Sequence, residues 1–291
     1  MTNFRGVGVA LITPFKADKS IDYDALLRLL NSCNEGEVDY LVVNGTTSEA
    51  STLTTQEKKD ILAFIIANNV KALPIVYGIG ANNTQHVLDL IDETDFSSID
   101  AILTVSPYYN RPSQQGIIKH YEIVASHSPV PVILYNVPGR TGSNMTAETT
   151  LTLAQHKNII AIKEASGDLT QCLKILKDKP NDFMLISGDD ILTVPMISLG
   201  AEGVISVLAN AFPARFGSAI HHALENNFSQ ATSIISDFVA LNELLYVESN
   251  PVGVKEVLTQ QGLCGNHVRL PLLEASSELK QAIAQLLPVQ V

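Results

Sequence analysis

Ala101-Ile102-Leu103-Thr104-Val105 shows no alternation of apolar and polar residues. A strand with one face in water alternates; a strand buried on both faces reads as a continuous apolar run, the pattern of parallel strands covered by helices. Outward from this stretch, runs rich in β-branched residues recur at 6–14, 40–45, 73–78, 130–136, 159–164, 183–188 and 203–207, which with 101–106 makes eight. Their spacing, roughly 20 to 35 residues, is that of successive βα units.

Helical stripes fill the gaps. Leu26, Leu27 and Leu30 follow the first run, Val87, Leu88 and Ile91 the third, and Leu173, Ile175 and Leu176 the sixth, each group on one face of a helix. Thr54 and Glu57 have capping-box spacing ahead of Ile61, Leu62, Phe64 and Ile65. Eight βα repeats predict an α/β fold closed as a (β/α)8 TIM barrel. The competing architecture, a doubly wound open sheet, needs fewer strands, and its nucleotide fingerprint is missing because Gly78-Ile79-Gly80 lacks the third glycine. After about residue 225 the strand signal stops, and Ile234, Ile235, Phe238, Leu241 and Leu245 recur at helical spacing. The expected division is a catalytic barrel over 1–225 and a helical C-terminal extension over 226–291, broken at Pro251 and around Gly262 to Asn266.

With 291 residues, 46% of them hydrophobic, the chain can bury a large core. A net charge of -11 repels nucleic acid and acidic membranes on average. An anionic small substrate would need a few cationic groups inside the site. Cys33, Cys172 and Cys264 are widely separated and lack zinc or redox spacing, so reduced core thiols are expected. Met1-Thr2-Asn3 leads into an apolar run too short for a signal peptide, and no stretch is long enough to span a bilayer. The cytoplasm is the expected compartment.

In an α/β barrel the active site lies at the C-terminal ends of the strands. That rule selects Thr46, Thr47 and Glu49 after the second run, Tyr108 and Tyr109 after the fourth, Tyr135 and Arg140 at and after the fifth, Lys163 in the sixth, and Asp189 and Asp190 after the seventh. Lys163 follows Ile159-Ile160-Ala161-Ile162, where partial desolvation favours the neutral, nucleophilic amine. The bland alternative is a structural pairing with a carboxylate such as Glu164. Tyr135 is placed to move protons to and from a carbinolamine, or simply to pack; the hydroxyls of Thr46 and Thr47 suit a carboxylate. Arg140 can clamp a carboxylate with two hydrogen bonds, or stand solvated at the surface. Asp189 and Asp190 have no histidine cluster beside them, and a helix would point His221 and His222 apart, so no metal site is expected and a structural or capping role is favoured. The acidic Gly188-Asp189-Asp190 also disfavours a phosphorylated substrate.

Four motifs in order, Gly45-Thr46-Thr47-Ser48-Glu49, 106–112 (Ser-Pro-Tyr-Tyr-Asn-Arg-Pro), 135–142 (Tyr-Asn-Val-Pro-Gly-Arg-Thr-Gly) and 162–168 (Ile-Lys-Glu-Ala-Ser-Gly-Asp), resemble the dihydrodipicolinate synthase family, of the pyruvate-dependent class I aldolases. The resemblance continues through Ser187-Gly188-Asp189-Asp190 and Gly203-Val204-Ile205-Ser206 to Asn250-Pro251 and Val268-Arg269-Leu270-Pro271. It implies that Lys163 forms an imine with pyruvate, whose enamine attacks L-aspartate-4-semialdehyde in diaminopimelate and lysine biosynthesis. By the same resemblance Tyr135, Thr46 and Tyr109 form a proton relay, with Tyr109 reaching in from a neighbouring subunit of a homotetramer. Thr47 and the Ile205 backbone would hold the pyruvate carboxylate, and Arg140 that of the semialdehyde. An imine supplies its own electron sink, so no metal or organic cofactor is implied.

Two positions depart from the family pattern. Ser48 stands where a second glycine is usual, which predicts a slightly different loop backbone. His86 stands where lysine-inhibited members place a glutamate, in a pocket resembling Ala50, Ser51, Asn82, His86 and Tyr108; weak or absent lysine feedback is expected. The nearest competing readings are an N-acetylneuraminate lyase or keto-deoxy sugar acid aldolase, which share the lysine and tyrosine, and a non-catalytic binding barrel, which would have lost one of Lys163, Tyr135, Thr46 or Arg140. A metal-dependent aldolase is disfavoured by the lack of clustered histidines.

Overall fold

The computed structural model describes residues 4–287; Met1-Thr2-Asn3 and the last four residues of the expected extension lie outside them. Eight strands, β1 (Gly6–Ala10), β2 (Tyr40–Val43), β3 (Ile75–Gly78), β4 (Ala101–Val105), β5 (Val132–Asn136), β6 (Ile159–Glu164), β7 (Met184–Ser187) and β8 (Gly203–Ser206), pair in parallel and in sequence order. β8 closes on β1 through Gly6 to Val9 against Gly203 to Ser206. Every expected run holds a strand, and several strands stop short of the run's end. β1 gives way after Ala10, with the Leu11 amide making one more bond to the Val42 carbonyl at 3.0 Å, because Pro14 has no N–H to continue a ladder.

The continuous apolar runs have the cause anticipated for them. Val42, Val76, Leu103, Ile133, Ala161, Ile186 and Ile205 pack inside the barrel, while Val43, Ile102, Leu134, Ile162 and Leu185 pack outward under the helices. Helices begin where the chemistry of capping puts them. Thr54 caps Thr55–Asn68 in a complete capping box with Glu57, and Asp22, Asn83, Ser113, Thr146 and Asp168 each accept a backbone N–H at a helix start. The helix Pro213–Leu224 carries His221 into contact with Glu37 and Asp39, at 3.1 and 2.8 Å, at the end of the barrel opposite the strand C-termini. Those carboxylates hold the His221 imidazole above its ordinary value.

Beyond residue 225 the helices Phe228–Asp237, Val239–Leu244, Val252–Gln260 and Ser277–Leu286 follow. Pro251 precedes one of them and Gly262, at φ +75°, lies beyond its end, as helix-breaking residues should. The three cysteines are buried free thiols. Among the described residues no helix is long and apolar enough to cross a membrane, and no group of three or more His, Cys, Asp or Glu could hold a metal ion.

Candidate active site

Parallel register sets the first pair of the site. Val132 pairs with Ile159, but Ile133 pairs with Ala161, so β6 carries one extra residue at Ile160. Without this bulge Tyr135 would stand opposite Ile162; with it, Tyr135 stands opposite Lys163. Paired residues on neighbouring strands share a face, and the Lys163 ammonium lies 4.5 Å from the centroid of the Tyr135 ring. On the other side Lys163 pairs with Ile186 of β7. Gly188 follows that strand, and a Cβ there would lie 3.1 Å from Lys163 Cε and 2.6 Å from Ala165 Cβ. The space beside the lysine stem therefore exists because residue 188 has no side chain.

Lys163 is 6% exposed, and among the described residues no carboxylate lies within ion-pair distance of it. The pairing with Glu164 weighed from the sequence does not occur. Adjacent strand residues face opposite ways, and Glu164 points outward, where it accepts from Asn136 at 3.1 and 3.0 Å, Gln171 at 3.0 Å and the Ser166 amide at 2.7 Å. Asn136 in turn accepts from the Met145 amide at 3.0 Å and donates to Asn144 at 2.8 Å. This outward network anchors the far end of the loop that carries Arg140.

A cavity of about 840 Å³ opens over the strand ends. Its wall includes Thr46, Thr47, Tyr135, Arg140 and Lys163, residues from four separate segments. Arg140 sits in the one-turn helix Pro138–Thr141, exposed at the rim. Thr46 and Thr47 sit in a 3-10 turn, Thr46–Ser48, with Thr47 buried and Thr46 exposed. Ser48 has an unstrained backbone and its hydroxyl donates to the Gly45 carbonyl at 2.7 Å. The strained residue is the next one: Glu49 adopts φ +56°. The serine thus closes the turn, and glycine is not required there.

Two expected residues are not in the cavity wall. Ile205 is buried in the barrel interior, packed with Tyr135 and Ile186. Tyr109 is 87% exposed at φ +73°, its amide bonded to the Thr141 carbonyl at 3.3 Å. Asp189 and Asp190 act as backbone acceptors: Asp189 takes the Ile191 and Leu192 amides, both at 3.0 Å, and Asp190 the Val207 and Leu208 amides at 3.1 and 2.9 Å. Burial pushes the Asp190 carboxyl up to about 6, against the pull of the Ser206 hydroxyl and those amides.

Sequence reading missed the residues behind the 45–49 loop. Glu49 is clamped by Lys255 Nζ at 2.5 Å and by the Arg269 amide at 2.9 Å. Lys255 also donates to the His267 carbonyl at 2.8 Å and lies 4.2 Å from the Phe15 ring centroid. Its only sequence signal was a lysine in the apolar helix Val252–Gln260. Asn250 Nδ2 donates to Thr47 Oγ1 at 3.0 Å.

A closed eight-stranded parallel barrel with a cavity over its strand ends, lined by Lys163 with no carboxylate in ion-pair distance among the described residues, has the architecture of a barrel enzyme. Comparison with known proteins narrows that class. The profile of the Dihydrodipicolinate synthetase family matches residues 3–290, and the chain belongs to that family. It is 52% identical over 285 residues to a 4-hydroxy-tetrahydrodipicolinate synthase of Cytophaga hutchinsonii, covering 98% of this chain and 96% of the relative. A crystal structure of an Acinetobacter baumannii dihydrodipicolinate synthase complexed with pyruvate is similar at a TM-score of 0.95, with 34% identity and 99% of each chain covered. A structure described as a monomeric dihydrodipicolinate synthase variant is similar at a TM-score of 0.95, with 33% identity, covering 99% of this chain and 97% of that one.

Proposed function

We propose that this protein condenses pyruvate with L-aspartate-4-semialdehyde as a 4-hydroxy-tetrahydrodipicolinate synthase, with Lys163 as the Schiff-base residue. The observation that carries the proposal is the unpaired, buried Lys163 amine beside Tyr135, in a cavity shared with Thr46, Thr47 and Arg140. The relatives' names supply the reaction.

The amine adds to C2 of pyruvate, and the carbinolamine loses water to give the imine. Loss of a proton from C3 gives the enamine, which attacks the aldehyde carbon; the alkoxide so formed takes up a proton. The amino group of the semialdehyde portion then adds at C2 and displaces Lys163, which closes the ring and frees the enzyme. Tyr135 and Thr46 carry protons in and out. Tyr109 of a second subunit completes that relay, which suits its exposure here and its tie to the Arg140 loop through Thr141. Thr47 and the backbone at Ile205 hold the pyruvate carboxylate, and Arg140, exposed at the rim and without a carboxylate partner among the described residues, holds that of the semialdehyde. The chemistry so written uses no metal or organic cofactor.

A homotetramer built from dimers is the working assembly, in the cytoplasm, with 1–225 as the catalytic barrel and 226–291 as its helical extension. Sedimentation checks the assembly: a chain that runs only as a monomer yet keeps full activity removes Tyr109 from the relay. The function itself is tested by coupling the condensation to reduction of its product by the next pathway enzyme. Turnover by the native protein, absent in Lys163→Ala, supports it; an inactive native protein with both substrates present refutes it.

A further inference from the structure

Asn250 precedes the helix Val252–Gln260, some two hundred residues from the loop it touches. It is 7% exposed, and its amide donates to the hydroxyl of Thr47, itself 3% exposed. A threonine hydroxyl has one proton and two lone pairs. With one lone pair engaged by Asn250, the proton is directed away from the amide. No protein acceptor among the described residues takes it, and Thr47 lines the cavity that holds Lys163.

The loop cannot swing to change this arrangement cheaply. The Ser48 carbonyl accepts from Thr13 at 2.8 Å, and Glu49 is gripped by Lys255 and Arg269 from the same C-terminal segment that carries Asn250. The other end of the Asn250 amide, Oδ1, is buried without a partner. Among the described residues Thr47 is therefore the one hydrogen-bond partner that orients the amide side chain, and an acceptor in the cavity orients both groups together. A carboxylate accepts and cannot donate, so it selects the direction amide N–H to Thr47 oxygen, Thr47 O–H to carboxylate. Donors aligned in a chain polarise one another in a buried setting.

We infer that Asn250 is a positioning residue for the 2-oxo acid carboxylate: it fixes the Thr47 hydroxyl as a donor into the cavity. The inference rests on the reading that a 2-oxo acid forms an imine with Lys163, and it adds a specificity device supplied by the C-terminal segment. It separates carboxylate recognition at Thr47 from the chemistry at Lys163. The residue's effect therefore belongs in half-saturation by pyruvate more than in turnover.

The test measures pyruvate half-saturation twice, by steady-state kinetics and by the amount of Lys163 adduct trapped with borohydride, for native protein, Asn250→Ala, Asn250→Asp, Thr47→Val and Thr47→Val with Asn250→Ala. Asn250→Asp turns the donor into an acceptor that captures the Thr47 proton, and half-saturation rises about 10- to 100-fold, as for a lost hydrogen bond to a charged group. Asn250→Ala frees the hydroxyl to rotate, and the rise is smaller, about three- to tenfold. In the Thr47→Val background Asn250→Ala adds nothing, because no hydroxyl is left to orient. Additive effects in that cycle, or trapping by both Asn250 variants at native pyruvate concentrations, overturn the inference while leaving the Lys163 reading intact. Failure of the native protein to trap pyruvate at all removes both.

Discussion

Two buried lysines, Lys163 and Lys255, show what this fold does with a charge it cannot hydrate. Lys255 is fully buried and fully compensated: a carboxylate, a carbonyl and an aromatic face surround its ammonium. Burial pulls its ionisation down, and Glu49 pulls it back. Lys163 is almost as buried and has Tyr135 beside it but no anion among the described residues. A compensated lysine is a tie between segments, here between the C-terminal helices and the 45–49 loop. One with no ion pair ties nothing together, and its amine lines the cavity; the proposed function gives it the covalent capture of a carbonyl.

The contrast breaks most visibly on substitution. Lys163→Met abolishes condensation, a loss of about a thousandfold or more since the covalent step goes with it, while thermal unfolding shows stability little changed because no ion pair among the described residues is lost. Lys255→Met does the reverse. It strands Glu49 in the interior and costs about 3–5 kcal/mol in denaturant titration, with much of that recovered when Glu49→Leu accompanies it. A Lys163 variant that unfolds as readily as the Lys255 variant would show that both lysines are structural.

Gly188→Ala sharpens the point at smaller amplitude. A methyl there falls 2.6 Å from Ala165 Cβ and 3.1 Å from Lys163 Cε, so the strand end shifts and carries the amine with it; kcat/KM falls about tenfold or more, as misplacement of a reacting group does, and thermal unfolding comes at a lower temperature.

Acid separates the two regions next. Arg269 holds the Glu57 carboxyl down to about 2 from its ordinary 4.5. A depressed carboxylate contributes stability that is complete above its unfolded value and is lost as pH falls through its folded one, here between about 4.5 and 2. Glu57→Gln flattens that part of the stability profile, and the Lys163→Met variant keeps it. The smallest effect is expected from free lysine: with His86 in the cavity wall where a carboxylate would be needed, lysine leaves activity nearly unchanged at low micromolar concentration, and inhibition there would refute that expectation.

What the sequence disclosed follows the same physics. The eight strands were legible because a strand buried on both faces must be apolar throughout, and Ala101 to Val105 could hardly be anything else. Lys163 was legible as an amine at the end of such a run. Its isolation was not, because that depends on Glu164 facing outward to Asn136 and Gln171, and on the extra residue at Ile160 that brings Tyr135 rather than its neighbour alongside. Periodicity does not reveal a one-residue bulge. Nor does it reveal Asn250 and Lys255, whose partners Thr47 and Glu49 lie about two hundred residues away in sequence. The motif containing Asn250-Pro251 belonged to the family resemblance, but only the fold shows which loop it meets.

The division between the two lysines is tested most directly by incubating the native protein with pyruvate, reducing with borohydride and mapping the modified peptide by mass spectrometry. The expected result is a reduced pyruvate adduct on Lys163 alone, with Lys255 unmodified. An adduct on Lys255, or none anywhere, would contradict the reading of Lys163 as the Schiff-base residue.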